Sequence, residues 1–304
     1  MENELKAALK LSSVKFRGSA TGGCIHEGKI YVTENGPIFV KISKDPMARP
    51  LFEGEIAGLR AIHNTKTVRV PTPIEIVELS KGLCLVMEYV DMRSLTKAAI
   101  ELGDELAKMH LHNRSLKSNE ASIHKNTNDG VQYIDQYGFH CPTYCGRIIQ
   151  DNTWKENWAE FFAQKIDSQL KLIESDYADR EARELWSELS LKVPNFFKDV
   201  EVTPSLLHGD LWSGNAASAP EGAIIFDPAS FYGHDEYDLA IAKMFGGFSQ
   251  AFFTAYHNVL PKKPNFEKRI ELYQLFHYLN HWNHFGTGYR SSSISIMRSL
   301  LQNL

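Results

Sequence analysis

Leu206 to Asp227 holds the side chains whose types and spacing could do chemistry. The stretch reads His208-Gly209-Asp210, then Asn215 five positions after Asp210, then Asp227 behind Ile224-Ile225-Phe226. Two short apolar runs each deliver an acid into a polar loop. Transfer of a phosphoryl group to an alcohol needs a carboxylate beside the attacking hydroxyl. It also needs oxygen ligands for a magnesium ion that bridges the phosphates. Asp210 fits the first role, and Asn215 with Asp227 fits the second. A His-Gly-Asp triplet alone is also an ordinary turn. The full spacing, with a strand feeding each acid, sets this one apart.

That layout is the one seen in kinase catalytic and metal-binding loops, and it calls for an upstream lobe. Lys41 ends the apolar strand Ile38-Phe39-Val40, as the phosphate lysine of kinases does. Phe52, Ile56, Leu59 and Ile62 recur at helical spacing, which predicts an amphipathic helix over about Ala48 to His63. Glu55 edges its buried face and is the candidate partner for Lys41; Glu53 is the rival. Gly22-Gly23-Cys24 lies in a glycine-rich turn before a predicted hairpin at Asn35-Gly36, where backbone N–H groups can approach phosphates. Small residues also mark ordinary hairpins, and no G-x-G-x-x-G spacing is present. Glu88-Tyr89-Val90 closes a strand and occupies the position of an interlobe hinge whose backbone would pair with adenine.

The rest of the chain must carry these groups. With 304 residues it is long enough for two lobes. The division expected is residues 1–92, with the glycine-rich turn, lysine and hinge, and 93–304, with the catalytic and metal loops. Ser94 reads as the N-cap of a helix with Leu95, Leu102, Leu106 and Met109 in its core stripe. Asn113 to Asn128 is polar and aperiodic and reads as an exposed loop. Residues near 133–200 read as a helical insert, and helices are expected over Phe245–Tyr256, Ile270–Phe285 and Ser293–Leu304. Asp238 heads a helix, which predicts a capping role.

A formal charge of −4 argues against a general nucleic-acid binder. No apolar run approaches the ~20 residues of a membrane helix. Met1 to Lys6 lacks the pattern of a signal peptide, so a cytoplasmic location is the expectation. The four cysteines do not suggest a disulfide scaffold, and Cys141 and Cys145 read as structural. After Asp227 there is neither Asp-Phe-Gly nor Ala-Pro-Glu, and no room for a long activation loop. That favours a small hydroxyl acceptor over a peptide side chain.

With these residues placed, the chain resembles the fructosamine/ketosamine-3-kinase family, relatives of aminoglycoside and choline kinases. The matching stretches are Gly22–Ile25, Phe52–Glu55, Leu206–Asn215, Phe226–His234, Met244–Phe248 and Tyr273–Gly286. Asn64–Val68, Asp91–Arg93 and Gly286–Arg290 look more like the ketosamine-3-kinase branch. The resemblance implies an α+β, bilobal kinase-like fold, with a β-rich N-lobe and a mainly helical C-lobe, and it implies ATP and Mg²⁺. The implied reaction is phosphorylation of the sugar 3-hydroxyl on glycated protein lysines or small ketosamines, whose unstable product frees the amine. Carried over residue by residue, Asp210 matches the base, Asn215 and Asp227 the metal ligands, and Lys41 with Glu55 the phosphate clamp. Trp212 matches a residue bordering the sugar, or else packs the lobe. A kinase of another small hydroxyl, of choline or aminoglycoside type, and a silent nucleotide-binding relative stand as alternatives.

Cys24 is the remaining candidate. Backbone N–H groups aimed at an anion also stabilise a thiolate, so a redox role or a Cys24-linked homodimer is one expectation. A small residue filling space under the loop, in a monomer, is the other.

Overall fold

Asn35-Gly36 turns the chain as its sequence predicts, with Gly36 at φ +110° and facing Thr33 across the turn. The computed structural model describes residues 1–20, 27–121 and 132–302. Helix α1 (Glu2–Ala8) leads into β1 (Val14–Ala20), β2 (Glu27–Thr33) and β3 (Gly36–Ser43). Helix α2 (Ala48–Thr65) follows, then β4 (Pro73–Leu79) and β5 (Gly82–Glu88). The five strands form one antiparallel sheet in the order β1-β2-β3-β5-β4. One face buries Leu5 of α1 against Val40, Val77 and Val86. Phe52 of α2 packs with Leu85 and Met87. The same helix that buries Phe52 therefore brings Glu55 under the sheet, beside Lys41 of β3.

Beyond the hinge the chain is mainly helical. It runs through α3 (Ala99–Ala121), the hairpin β6 (Thr143–Cys145) and β7 (Ile148–Gln150), α4 (Trp158–Tyr177) and α5 (Glu181–Ser190). Four short strands frame the functional loops: β8 (Ser205–Leu207), β9 (Ala216–Ala219), β10 (Gly222–Ile225) and β11 (Phe231–Gly233). Helices α6 (Glu236–Met244), α7 (Gln250–Val259), α8 (Phe266–Phe285) and α9 (Arg290–Gln302) complete it. No helix among the described residues is long and apolar enough to cross a membrane.

Four expectations differ. Asn113 to Ala121 is helix, not loop, because α3 continues. Asn113 is buried and brackets distant backbone, bonding the carbonyls of Ile134 (2.8 Å) and Pro204 (2.7 Å) and the Ile134 N–H (2.9 Å). Tertiary contacts there override a polar composition. Ser94 makes no capping bond; a 3₁₀ turn at Leu95–Lys97 precedes α3. Residues 132–157 carry the β6–β7 hairpin, and helix begins only at Trp158, where Asn157 caps α4 through Glu160 N–H. Phe245 to Tyr256 is not one helix. Gly246 and Gly247 take φ +70° and +87°, which ends α6, and Ser249 caps α7.

A backbone bridge between Arg69 and Ile224 joins the sheet-rich half to the helical half, and just past the hinge Arg93 pairs with Ser218. On the far side, α2 presses on the β6–β7 hairpin at Gly54, where an added Cβ would stand 2.6 Å from the Pro142 carbonyl oxygen.

Candidate active site

A cleft of about 800 Å³ lies between the two halves. Lys41, Glu55, Asp210, Asn215 and Asp227 all line it, as do Glu88, Tyr89, Val90 and Trp212. Lys41 Nζ donates to Glu55 Oε2 at 2.8 Å and to Asp227 Oδ1 at 2.7 Å. Burial works against the Lys41 charge, but Asp227 and Glu55 outweigh it and hold the ammonium well above its ordinary pKa. Burial pushes the Glu55 carboxyl up, opposed by Lys41. Glu53 points to solvent with 57% of its side chain exposed, 3.9 Å from Arg49. Of the two candidates, the fold therefore brings Glu55 to Lys41.

Asp210 follows β8 and a glycine whose φ is +85°; a Cβ on Gly209 would collide with the Ala229 carbonyl. Burial pushes the Asp210 carboxyl up to about 7, with Asp227 and Asp238 adding to the shift. Asn215 Nδ2 donates to the Asp210 carbonyl at 2.9 Å and to its Oδ2 at 3.4 Å. With its nitrogen so engaged, the Asn215 amide has its oxygen left as a donor atom to a ligand. Asp227 sits at φ +56°, uncommon for a residue with a side chain and a form of local strain frequent at functional sites. An amide oxygen plus a carboxylate is a hard-oxygen donor pair suited to Mg²⁺, which completes its shell with phosphate oxygens and water. These residues fit that ion.

The loops are held from below by a set of buried polar groups. Asp238 Oδ2 accepts from His208 N–H at 2.7 Å and Oδ1 from Gly209 N–H at 2.8 Å, and His110 Nε2 lies 3.2 Å from Oδ2. Asp238 thus fastens the catalytic loop; the expectation that it caps its own helix misses this job. His208 joins the two loops: Asp210 N–H donates to its Nδ1 (3.2 Å), so its Nε2 donates to the Phe226 carbonyl (2.9 Å). The backbone adds Ala229 N–H to His208 O at 2.8 Å and Phe226 N–H to Asn215 O at 3.0 Å.

At the hinge, the Glu88 carboxylate is taken by Arg69 (2.5 Å) and Thr72 N–H (3.1 Å). What Glu88, Tyr89 and Val90 turn to the cleft is therefore mostly backbone and apolar surface. Trp212 packs on the main core, as one of its two expectations has it, and it also lines the cleft and lies over Gly214. Gly22, Gly23 and Cys24 lie outside the described residues.

The opposite wall was not foreseen. Asn280, His281 and His284 of α8 line the cleft with Phe245, Phe285 and Tyr289. His281 Nδ1 donates to the His277 carbonyl and His284 Nδ1 to the Asn280 carbonyl, each at 2.7 Å. Burial holds both rings below the ordinary histidine pKa, so both are neutral at pH 7. Asn280 also reaches Cys145 Sγ at 3.3 Å. Cys145 is buried beneath Asp210, and burial raises its thiol well above the ordinary value, consistent with a structural reading. The available signal was polar side chains at i, i+1 and i+4 on an otherwise buried helix.

Two halves joined at a hinge, a buried lysine clamped by two carboxylates, and a carboxylate–amide pair on adjoining loops define a kinase-like phosphotransferase fold. The chain belongs to the fructosamine kinase family, whose profile matches residues 2–303. It is 53% identical to mouse ketosamine-3-kinase across 99% of both chains. It is 38% identical to the chloroplastic protein-ribulosamine 3-kinase of Arabidopsis thaliana, over 97% of this chain and 85% of that one. A crystal structure described as a putative fructosamine-3-kinase from Haemophilus somnus has the same fold. Its TM-score is 0.80 at 22% identity, with 99% of this chain and 96% of that one covered.

Proposed function

We propose that this chain catalyses ATP-dependent phosphorylation of the 3-hydroxyl of ketosamine sugars, both on glycated protein lysines and on small amines, and so initiates deglycation. The observation that carries the reading is Lys41 held between Glu55 and Asp227 in the cleft that also contains Asp210. The names of the relatives supply the acceptor class: ketosamines and protein-bound ribulosamines. The working division is residues 1–92 for nucleotide and 93–304 for chemistry and acceptor.

In this reading the hinge backbone from Glu88 to Val90 holds adenine, and Lys41 exchanges Asp227 for phosphate oxygens while Glu55 keeps it aimed. Asn215 and Asp227 hold magnesium, which when bound offsets charge on the transferring phosphoryl group. Asp210 accepts the proton of the sugar hydroxyl as its oxygen bonds to the γ-phosphorus and ADP departs. A carboxylate held at this position is placed to take that proton. The neutral α8 wall and Trp212 surround the sugar.

The experiment is a phosphorylation screen with ribulosamine, psicosamine, fructosamine, choline and an aminoglycoside. ATP turnover on ketosamines, with ribulosamine or psicosamine used at least as well as fructosamine, is the expected result. A strong preference for fructosamine overturns the branch. Turnover only on choline or the aminoglycoside, or nucleotide binding without turnover, overturns the function.

A further inference from the structure

Phe245, His281, Phe285 and Tyr289 form a run of rings at the cleft mouth. The His281 centroid lies 4.8 Å from Phe245, 5.5 Å from Phe285 and 5.2 Å from Tyr289. Phe245 is 41% exposed and Phe285 56%, in a protein that buries most of its aromatic side chains. Phenylalanine surface left open to water at the rim of a cleft marks a place where a ligand lies.

One contact ties this shelf to the loop that follows Asp210, and two further features fix its shape. Gly247, two residues past Phe245, packs so closely on Ser213 that a Cβ there would collide with its side chain. Gly286 takes φ +88°, turning the chain from α8 into Tyr289. Arg290, next in sequence, is anchored to Asp179 and Glu181 at 2.5 Å each. The shelf is therefore a built surface held against the loop that follows Asp210 and continuous with the same cleft.

The chemistry of the shelf is also specific. The cleft's carboxylates, Glu55, Glu88, Asp91, Asp210 and Asp227, come from α2, the hinge and the two functional loops. The shelf contributes rings without a formal charge. It can take methylenes by apolar contact and a nearby amine cation by its ring faces. Phe245 and Phe285, its exposed members, offer nothing to a sugar's hydroxyls.

We infer that Phe245, Phe285 and Tyr289 bind the N-alkyl arm of the acceptor, the methylene stem of a glycated lysine, and so set the preference among amines. This rests on the ketosamine reading above. With the sugar hydroxyl at Asp210, the amine substituent leaves the cleft across these rings. The polypeptide stays outside, and recognition stops at the lysine stem.

The test uses the full chain and ribulosamines of methylamine, butylamine and hexylamine, with kcat and KM measured for wild type, Phe285→Ala, Phe245→Ala and Phe285→Leu. Wild-type kcat/KM rises by about two-fold per methylene, half the full-burial value because the shelf is open on one side. From methylamine to hexylamine that is about thirty-fold, expressed in KM. Each alanine variant flattens the series to below about five-fold, and Phe285→Leu keeps most of it, since apolar area remains. A wild-type series without chain-length dependence overturns the inference. So does an alanine variant that retains the full slope or lowers all three adducts equally. Failure of wild type to phosphorylate any of them overturns the function and the shelf together.

Discussion

Replacing Asp238 by Asn isolates the part of the site that touches neither nucleotide nor acceptor. Asp238 is fully buried and accepts from His208 N–H and Gly209 N–H on separate oxygens. Burial works to raise its carboxyl, but the His110 bond and charge interactions, with the Gly209 N–H, outweigh that and hold it below the ordinary value. A depressed carboxyl contributes its stability above the ordinary carboxylate range and loses it as pH falls through the folded value. The full contribution is thus present at neutral pH. Asparagine keeps the shape, but one oxygen becomes an NH₂ group that faces an N–H donor. One charge-assisted bond is lost and a buried amide is left unpaired, which costs about 2–4 kcal/mol. For a chain of this size the expected drop in Tm is ~3–6 °C. Because Asp210 is the next residue after Gly209, a shift of ~1 Å in the loop lowers kcat by about 10²-fold. Lys41 and Glu55 lie elsewhere, so KM for ATP stays within about three-fold. Thermal unfolding and steady-state kinetics on the same preparation read all three. A Tm within about 1 °C of wild type together with kcat within about two-fold refutes the reasoning.

Other perturbations reach different parts of the site. Asp210→Asn keeps ATP affinity while turnover falls by ~10²-fold or more, as measured by ADP release with saturating ketosamine; near-normal turnover removes Asp210 from the role of base. Gly54→Ala pushes α2 off the Pro142 carbonyl and carries Glu55 with it. It should raise KM for ATP and lower Tm by several degrees, and an unchanged KM contradicts that coupling. Burial pushes His234 and His277 down to about 3, well below their ordinary 6.5. The unfolded chain takes up their protons first, so their stability is complete above pH 6.5 and lost as pH falls toward 3. Between pH 6.5 and about 5.5 the two together cost about 2 kcal/mol, read by urea unfolding; equal stability at both pH values counts against it.

That Lys41, Glu55, Asp210, Asn215 and Asp227 meet in one cleft was readable because the signals are local. Asp210 and Asn215 sit at a set spacing, and Lys41 and Glu55 each ride an element whose periodicity is plain. The supports were not readable, because they depend on which distant segments meet. Asp238 reads correctly as a residue at a helix start. Only the fold reveals that its carboxylate lies under a loop some 30 residues upstream. The Asn113 segment has a loop composition, yet its buried amide binds two remote carbonyls and the helix continues through it. On α8, Asn280, His281 and His284 stand in a stretch whose resemblance was clear, while their facing the cleft was not. Spacing along one helix does not reveal which partner surface the polar side chains meet.

The bridge Arg69–Ile224 and the close contact at Gly54 hold the sheet-rich half against the helical half on both sides of the cleft. At this aperture the cleft has room for a side chain and its sugar but not for a folded surface. On the ketosamine reading, a modified lysine would come to it on a stretch of chain able to extend away from its own protein. Repair by such an enzyme would then follow the mobility of the damaged site: tails, loop tips and partly unfolded chains would be cleared first. Sugars attached to rigid, flat surfaces would persist however abundant the enzyme.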